Sequence, residues 1–318
     1  MRYFIKKEKN DRPEAFLAWL EENQKMVQDW VDNPTKTGDN IWSELGKTFG
    51  KETDGATIDP NLVKNELKED LFKEQNGLCC YCGNAITAKK QENSWQLKDC
   101  SIEHFMPKNK FKELTFVYEN LMLCCKINSG NFYEVKKTPR DKPVNNFKDV
   151  AHLRDLAKDN IKQRNKTLDE GQLKPGDKIY FPNPPHCDDS KSTFDKKPHH
   201  TPIINPTKDK DLVEKFTFDR TGSINFQTDN KEDEKLLSTT ISVLSLDCET
   251  LVNKRKRVWK EASIILDDFI TTTPDTELKN MLSNLILKKA KPDEDGLLEA
   301  FFFVEIFYYN LAFNATTE

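Results

Sequence analysis

The phrase Cys79-Cys80-Tyr81-Cys82-Gly83 limits the folds open to this chain more than any other feature. A C-x-x-C pair closed by glycine bends tightly enough to turn both sulfurs toward one tetrahedral zinc at about 2.3 Å. The chain holds eight cysteines in all. In a reducing compartment, clustered cysteines bind metal or do chemistry more often than they form disulfides. A closed zinc site needs two further ligands. The candidates are Cys124 or Cys125 and Cys187, ahead of Cys100 and Cys248. The plainer alternative for Cys80, Cys100 and Cys124 is a small buried hydrophobe, and Cys248, in an apolar helical run, reads that way. A thiol redox pair is a further alternative, but the strand and helix of a thioredoxin-like setting are missing around the motif.

Composition bears on the compartment and on partners. The 49 Lys and Arg against 53 Asp and Glu leave a net charge of −4, which argues against a globally basic nucleic-acid binder. Charged residues reach 32% and hydrophobic ones 36%, yet 20 Phe, 7 Tyr and 5 Trp supply enough apolar mass for a folded core. No stretch approaches the roughly 20 apolar residues of a membrane span. The opening MRYFIKKEKNDRPEAF lacks the apolar run of a secretory leader, so a cytoplasmic location is expected.

Along the chain, apolar residues from Phe16 to Val31 recur at near-helical spacing, ending at Asn33-Pro34. Turn residues fill 35–60, with the apolar pair Trp42 and Leu45. A helix is predicted from about Pro60 to Gln75, striped by Leu62, Val63, Leu67, Leu71 and Phe72 and stopped by Asn76-Gly77. Residues 126–186 hold 13 basic and 8 acidic residues and read as an insertion, with a helix near Val150–Lys166 and a strand near Lys174–Phe181. This excess of positive charge either meets a phosphate backbone or is a solvated loop. A hairpin is expected over Phe216–Phe226, then helical sequence from Leu236 to Leu266. Leu297–Phe313 reads as a last helix, with seven aromatics that need burial or a protein partner.

Beyond the cysteine turn come Ile102-Glu103-His104-Phe105-Met106-Pro107-Lys108, then Asn120-Leu121-Met122-Leu123-Cys124-Cys125, and much later His186-Cys187-Asp188-Asp189-Ser190-Lys191. Together these residues resemble the HNH nuclease family, with its ββα-metal core. Within it they are most similar to the PtuB-type nucleases of retron and Septu anti-phage systems. The likeness rests on Gln75-Asn76-Gly77-Leu78-Cys79-Cys80-Tyr81-Cys82, the Glu103-His104 phrase, the His186–Lys191 phrase, Pro202-Ile203-Ile204-Asn205-Pro206, and Leu244–Cys248 with Leu251 and Arg255. It covers most of the chain and is most specific over 75–125. Two features depart from the family. The second cysteine pair is split, with Cys125 and Cys187 on either side of the insertion, and Ser192 stands where glycine often follows the lysine.

The resemblance implies roles. His104 would be the general base, since neutral imidazole accepts a proton from water near pH 7. Asn120 would fix its ring through a hydrogen bond. Glu103 and Asp188 would hold a catalytic Mg²⁺ or Mn²⁺. Neighbours on a regular strand point apart, so a shared role for Glu103 and His104 requires a local bend. Cys79, Cys82, Cys125 and Cys187 would hold a structural Zn²⁺, with Cys125 preferred over Cys124 on the family's spacing from Asn120. Lys191 would stand near a phosphate.

The expected fold class is α+β. It is a mainly helical protein with a small zinc-stapled ββα-metal core (HNH, treble-clef-like) and a long insertion. The expected segments are a helical arm over 1–75, the nuclease core over 76–205 with its insertion at about 126–186, and a hairpin plus helical region over 206–318. The family implies a PtuA-type ATPase partner, a nucleic-acid substrate, and a retron reverse transcriptase with its msDNA holding the complex inactive. The competing reading is a non-catalytic zinc module for nucleic-acid binding or assembly, which needs the cysteines but neither His104 nor Asn120.

Overall fold

A computed structural model describes residues 1–8, 11–45, 62–92, 94–125, 132–134, 178–180, 203–244, 246–247 and 249–315. The chain is α+β, with about half of the described residues helical and the strands in small antiparallel pairs. In order come α1 (Glu14–Glu22), α2 (Gln24–Asp32), α3 (Gly38–Glu44), α4 (Leu62–Glu74), β1 (Thr87–Lys90), β2 (Trp95–Lys98), β3 (Cys100–His104), β4 (Leu121–Cys125), β5 (Phe132–Glu134), β6 (Lys178–Tyr180), α5 (Lys210–Val213), β7 (Phe216–Phe218), β8 (Ile224–Phe226), α6 (Lys231–Val243), α7 (Glu249–Thr272), α8 (Asp275–Ala290) and α9 (Phe302–Ala315).

Local chemistry explains several boundaries. The predicted helix from Phe16 to Val31 is broken at Asn23, where both the backbone N–H and the side-chain amide donate to the carbonyl of Trp19. That local competition ends α1 one residue before α2 begins. Within the expected loop after Pro34, Thr37 and Asn40 form a reciprocal capping box that nucleates α3. At the end of α4, Asn76 N–H bonds to Lys73 O and Gly77 N–H to Phe72 O, both residues at positive φ, which is a Schellman close. The predicted strand in the insertion is β6, paired with β5, while the predicted helix near 150–166 lies outside the described residues. The hairpin over 216–226 forms with Phe216 opposite Phe226.

The ribbon β3–β4 divides the core. Its register sets Ile102 opposite Leu123, Glu103 opposite Met122 and His104 opposite Leu121. Alternation sends Cys100, Ile102, Leu121 and Leu123 to one face, where they pack with Phe16 and Trp19 of α1, Ile41 of α3, and Val63, Leu67, Leu71 and Phe72 of α4. Met122 and Cys124 face the other way. They join Met1, Phe4, Tyr81, Ile203, Ile204 and residues of the C-terminal region such as Leu237, Leu251 and Val304. That second cluster draws on all three of the expected segments, so the cysteine turn is built into the main core. A third cluster, with Ala262 and Leu266 of α7, Leu278 and Leu282 of α8 and Tyr309 of α9, ties the last three helices together.

Candidate functional site

The thiols come from two places. Cys79 and Cys82 lie in the turn after α4, and Cys125 is the last residue of β4. Their sulfurs all lie within 4.8 Å of one another and all three residues are buried, so the described residues supply a group of three thiols able to hold a metal ion. Cys82 Sγ and Cys125 Sγ are 3.7 Å apart. The backbone N–H of Asn84 donates to Cys82 Sγ at 3.5 Å, a bond that favours the thiolate a metal requires. Cys79 N–H donates to Asn84 O and Gly83 N–H to Cys79 O, closing the turn on itself. Gly83 has φ +72°, and a Cβ there would stand 2.1 Å from the Phe303 ring, so the turn has room only for glycine.

Gln75 locks the two halves of the group together. Its side chain donates to Leu78 O and to Leu123 O, each at 2.8 Å, and accepts from Leu123 N–H at 2.7 Å. Leu78 precedes Cys79 and Leu123 lies two residues before Cys125, so one buried amide fixes the turn against the strand. Sequence reasoning placed Gln75 in a phrase without a role. The only hint was a polar side chain at the end of an apolar helix stripe.

Burial pushes the Cys82 thiol well above its ordinary value, as it does those of Cys80 and Cys124. Hydrogen bonds with Cys79 and Cys82, then burial, raise Cys125 in the same direction. Metal-free, Cys82 and Cys125 therefore hold their protons; a divalent cation would displace them. The set fits zinc, being thiol, buried and close enough for tetrahedral ligation. The fourth expected ligand, Cys187, lies outside the described residues, as do Asp188, Lys191 and Cys248. The ribbon separates the two neighbouring thiols: Cys124 Sγ pairs with Ser101 Oγ at 3.3 Å, while Cys125 lies with Cys79 and Cys82.

His104 occupies the opposite end of the ribbon from Cys125. It is fully buried at 0% exposure, with Nε2 3.0 Å from the carbonyl oxygen of Thr115. The ring of Trp42 meets it edge-on, centroids 4.6 Å apart at 88°. Asn120 departs from its expected role. Its side chain accepts from Met106 N–H at 2.7 Å and donates to Met106 O at 3.0 Å and Leu114 O at 3.1 Å. It ties the 105–120 loop to itself rather than bonding the histidine ring. Its influence on His104 passes through the backbone, where Phe105 N–H donates to Asn120 O at 2.9 Å.

Glu103 and His104 are not brought together. The strand stays regular through both, without the bend that a shared metal would need. Glu103 is buried on the other face, where Tyr81 Oη–H donates to its Oε1 at 3.2 Å. Tyr81 and Thr115 had no assigned role in the sequence reading. A catalytic Mg²⁺ or Mn²⁺ held jointly by Glu103 beside His104 does not fit this arrangement.

Elsewhere among the described residues, no helix is long and apolar enough to cross a membrane. No protein-family model matches the chain, and no curated protein matches it.

Proposed function

We propose that the chain is a metal-dependent HNH endonuclease that hydrolyses nucleic-acid phosphodiester bonds, built on a ββα-metal core stapled by zinc. One observation carries the reading. A single ribbon, β3–β4, holds the candidate general base at one end and a thiol of the metal centre at the other, with His104 opposite Leu121 and Cys100 opposite Cys125. A zinc module that merely binds has no use for an imidazole fixed by a backbone carbonyl in the same ribbon.

In this reading the chemistry of the chain's own residues is short. The Thr115 carbonyl can only accept, so Nε2 of His104 carries the hydrogen and Nδ1 keeps the lone pair. Nδ1 takes a proton from water as the water oxygen bonds to phosphorus. The bond from phosphorus to the leaving sugar oxygen breaks, and that oxygen gains a proton from solvent. The zinc would be held by Cys79, Cys82, Cys125 and the predicted Cys187, and it would supply structural rigidity. The roles of Asp188 as metal ligand and Lys191 as phosphate contact are those the resemblance implies, and both residues lie outside the described ones. Glu103 does not, and no step is assigned to a catalytic metal through it.

The same reading extends to an effector of a retron or Septu-type anti-phage complex, partnered by a PtuA-type ATPase and by a reverse transcriptase with its msDNA. The test incubates purified protein, alone and with the ATPase, with plasmid, phage DNA and total RNA, with and without Mg²⁺ or Mn²⁺. Metal-dependent cleavage that His104→Ala abolishes while zinc content stays unchanged is the expected result. Full activity in that variant would sink the catalytic assignment.

A further inference from the structure

Resting on the nuclease reading above, we infer that Lys108 and Asn109, in the loop that follows His104, form a phosphate seat, and that Asp39 and Trp42 of α3 cover the seat and the histidine.

The seat is defined by what fills it. Lys108 Nζ lies 3.0 Å from Asp39 Oδ1, and Asn109 Nδ2 donates to Asp39 Oδ2 at 2.6 Å. A cation and an amide thus grip the two oxygens of one carboxylate, the arrangement that two non-bridging oxygens of a phosphodiester would also satisfy. Asp39 N–H donates back to Asn109 Oδ1 at 2.9 Å. Gly38 allows the approach, since a Cβ there would meet the Lys108 carbonyl oxygen at 2.1 Å. Lys108 closes the His104 phrase and Asn109 follows it, so the seat lies in the loop that leaves β3 at His104.

The plug has two teeth on one helix face. Residues three apart on a helix are neighbours, roughly 5–6 Å between their Cβ atoms. Asp39 therefore sits on Lys108 and Asn109 while Trp42, one turn on, sits edge-on against His104. Trp42 is further held by stacking on Phe116 at 5.8 Å and by Lys64 over its ring at 5.6 Å. With the plug in place His104 has no surface, and a buried base cannot meet water and phosphate together.

Opening does not require α3 to unfold. Ile41 and the C-cap residue Leu45, each at 0% exposure, hold α3 in the core independently of the Asp39 and Trp42 side chains. Asp39 is 62% exposed at its side chain and Trp42 only half-buried, so rotamer changes at these two positions would clear the seat and the ring. An incoming phosphodiester competes directly with the Asp39 carboxylate for Lys108 and Asn109.

The test compares wild type, D39A, W42A, D39A/W42A and D39A/K108A in the full chain. Binding of a fluorescent 20-nucleotide single strand and its duplex is read by anisotropy without added Mg²⁺. His104 modification by diethyl pyrocarbonate is read by mass spectrometry. D39A should tighten binding roughly tenfold, and K108A in the same chain should cancel the gain. W42A should speed His104 modification at least tenfold. Unchanged binding in D39A, or a gain that survives loss of Lys108, overturns the seat. Because Asp39 is largely exposed, that arm stands even if W42A folds poorly. An unchanged His104 modification rate in a folded W42A overturns the plug. Cleavage with Mg²⁺ separates the two readings. If D39A/W42A binds tighter and exposes His104 but cuts neither DNA nor RNA, the plug stands and the nuclease reading fails. If wild type already cuts as fast as D39A/W42A, the plug fails and the nuclease reading stands.

Discussion

The imidazole of His104 is oriented by Thr115, whose carbonyl oxygen lies 3.0 Å from Nε2. A carbonyl has no proton to give, so this contact assigns the hydrogen to Nε2 in the neutral ring. Long-range ¹⁵N–¹H correlation on histidine-labelled protein at pH 7.5 should show His104 as the Nε2–H tautomer, with Nδ1 unprotonated. The opposite tautomer would remove the general-base role from Nδ1.

Asn120 acts on the loop. Its side chain makes three hydrogen bonds, to Met106 N, Met106 O and Leu114 O. Asn120→Ala strips these partners from part-buried backbone groups, and at about 1 kcal/mol each the loss is about 3 kcal/mol. The urea midpoint should fall accordingly. Amide exchange should speed up at Met106 and around Leu114, since both lose a fixed partner, while zinc content should hold. Asn120→Asp, which keeps the acceptor for Met106 N–H but loses both donors, should fall between wild type and alanine.

Adjacent cysteines on β4 should behave differently. Cys125 shares the buried group with Cys79 and Cys82, whereas Cys124 turns to Ser101 on the ribbon's other side. Metal analysis after expression in zinc-supplemented medium should find about one Zn²⁺ per chain in wild type and in Cys124→Ser. Cys79→Ser, Cys82→Ser and Cys125→Ser should each lose most of it. Equal retention by Cys125→Ser and Cys124→Ser would remove Cys125 from the ligand set.

The sequence carries these sites unevenly. Cys79 and Cys82 were legible because a short fixed spacing already dictates a shared ligand. Cys125 was preferred only through the family's spacing from Asn120, and its place beside Cys79 and Cys82 is visible only in the folded chain, because a distant strand brings it there. The α4 boundary was legible from its apolar stripe and from Asn76-Gly77, since helix period and cap are local. The break at Asn23 and the short helix at Gly38–Glu44 were missed because one or two side-chain bonds decide each. The helix Asp275–Ala290 was missed too; its apolar residues, Leu278, Leu282 and Leu285 among them, make sense only against α7 and α9. The plug of Trp42 on His104 joins residues far apart in sequence, and no local pattern announces such a contact.

The pH dependence of stability should change sign with metal. Without metal, burial holds the thiols of Cys80, Cys82 and Cys124 above the ordinary value of 9.0, and Cys125 is raised by its neighbours. The folded chain then keeps protons that the unfolded chain gives up. That contribution is fully present below about pH 9 and is lost as pH rises toward the folded values, with a slope near −1.4 kcal/mol per pH unit for each such thiol. Metal reverses the balance for Cys82 and Cys125, because a ligating thiolate holds no proton in the folded state while the unfolded thiol does. Their contribution is then present above the unfolded value and shrinks on acidification, as protons compete with the metal. Urea denaturation from pH 5 to pH 10, with and without prior chelation and dialysis, measures both slopes. The loaded protein should weaken toward pH 5 and the stripped protein above pH 9. Cys80 and Cys124 add the same alkaline loss to both forms, so the difference between the two curves isolates the three-thiol group. Superimposable curves would mean that this group holds no metal.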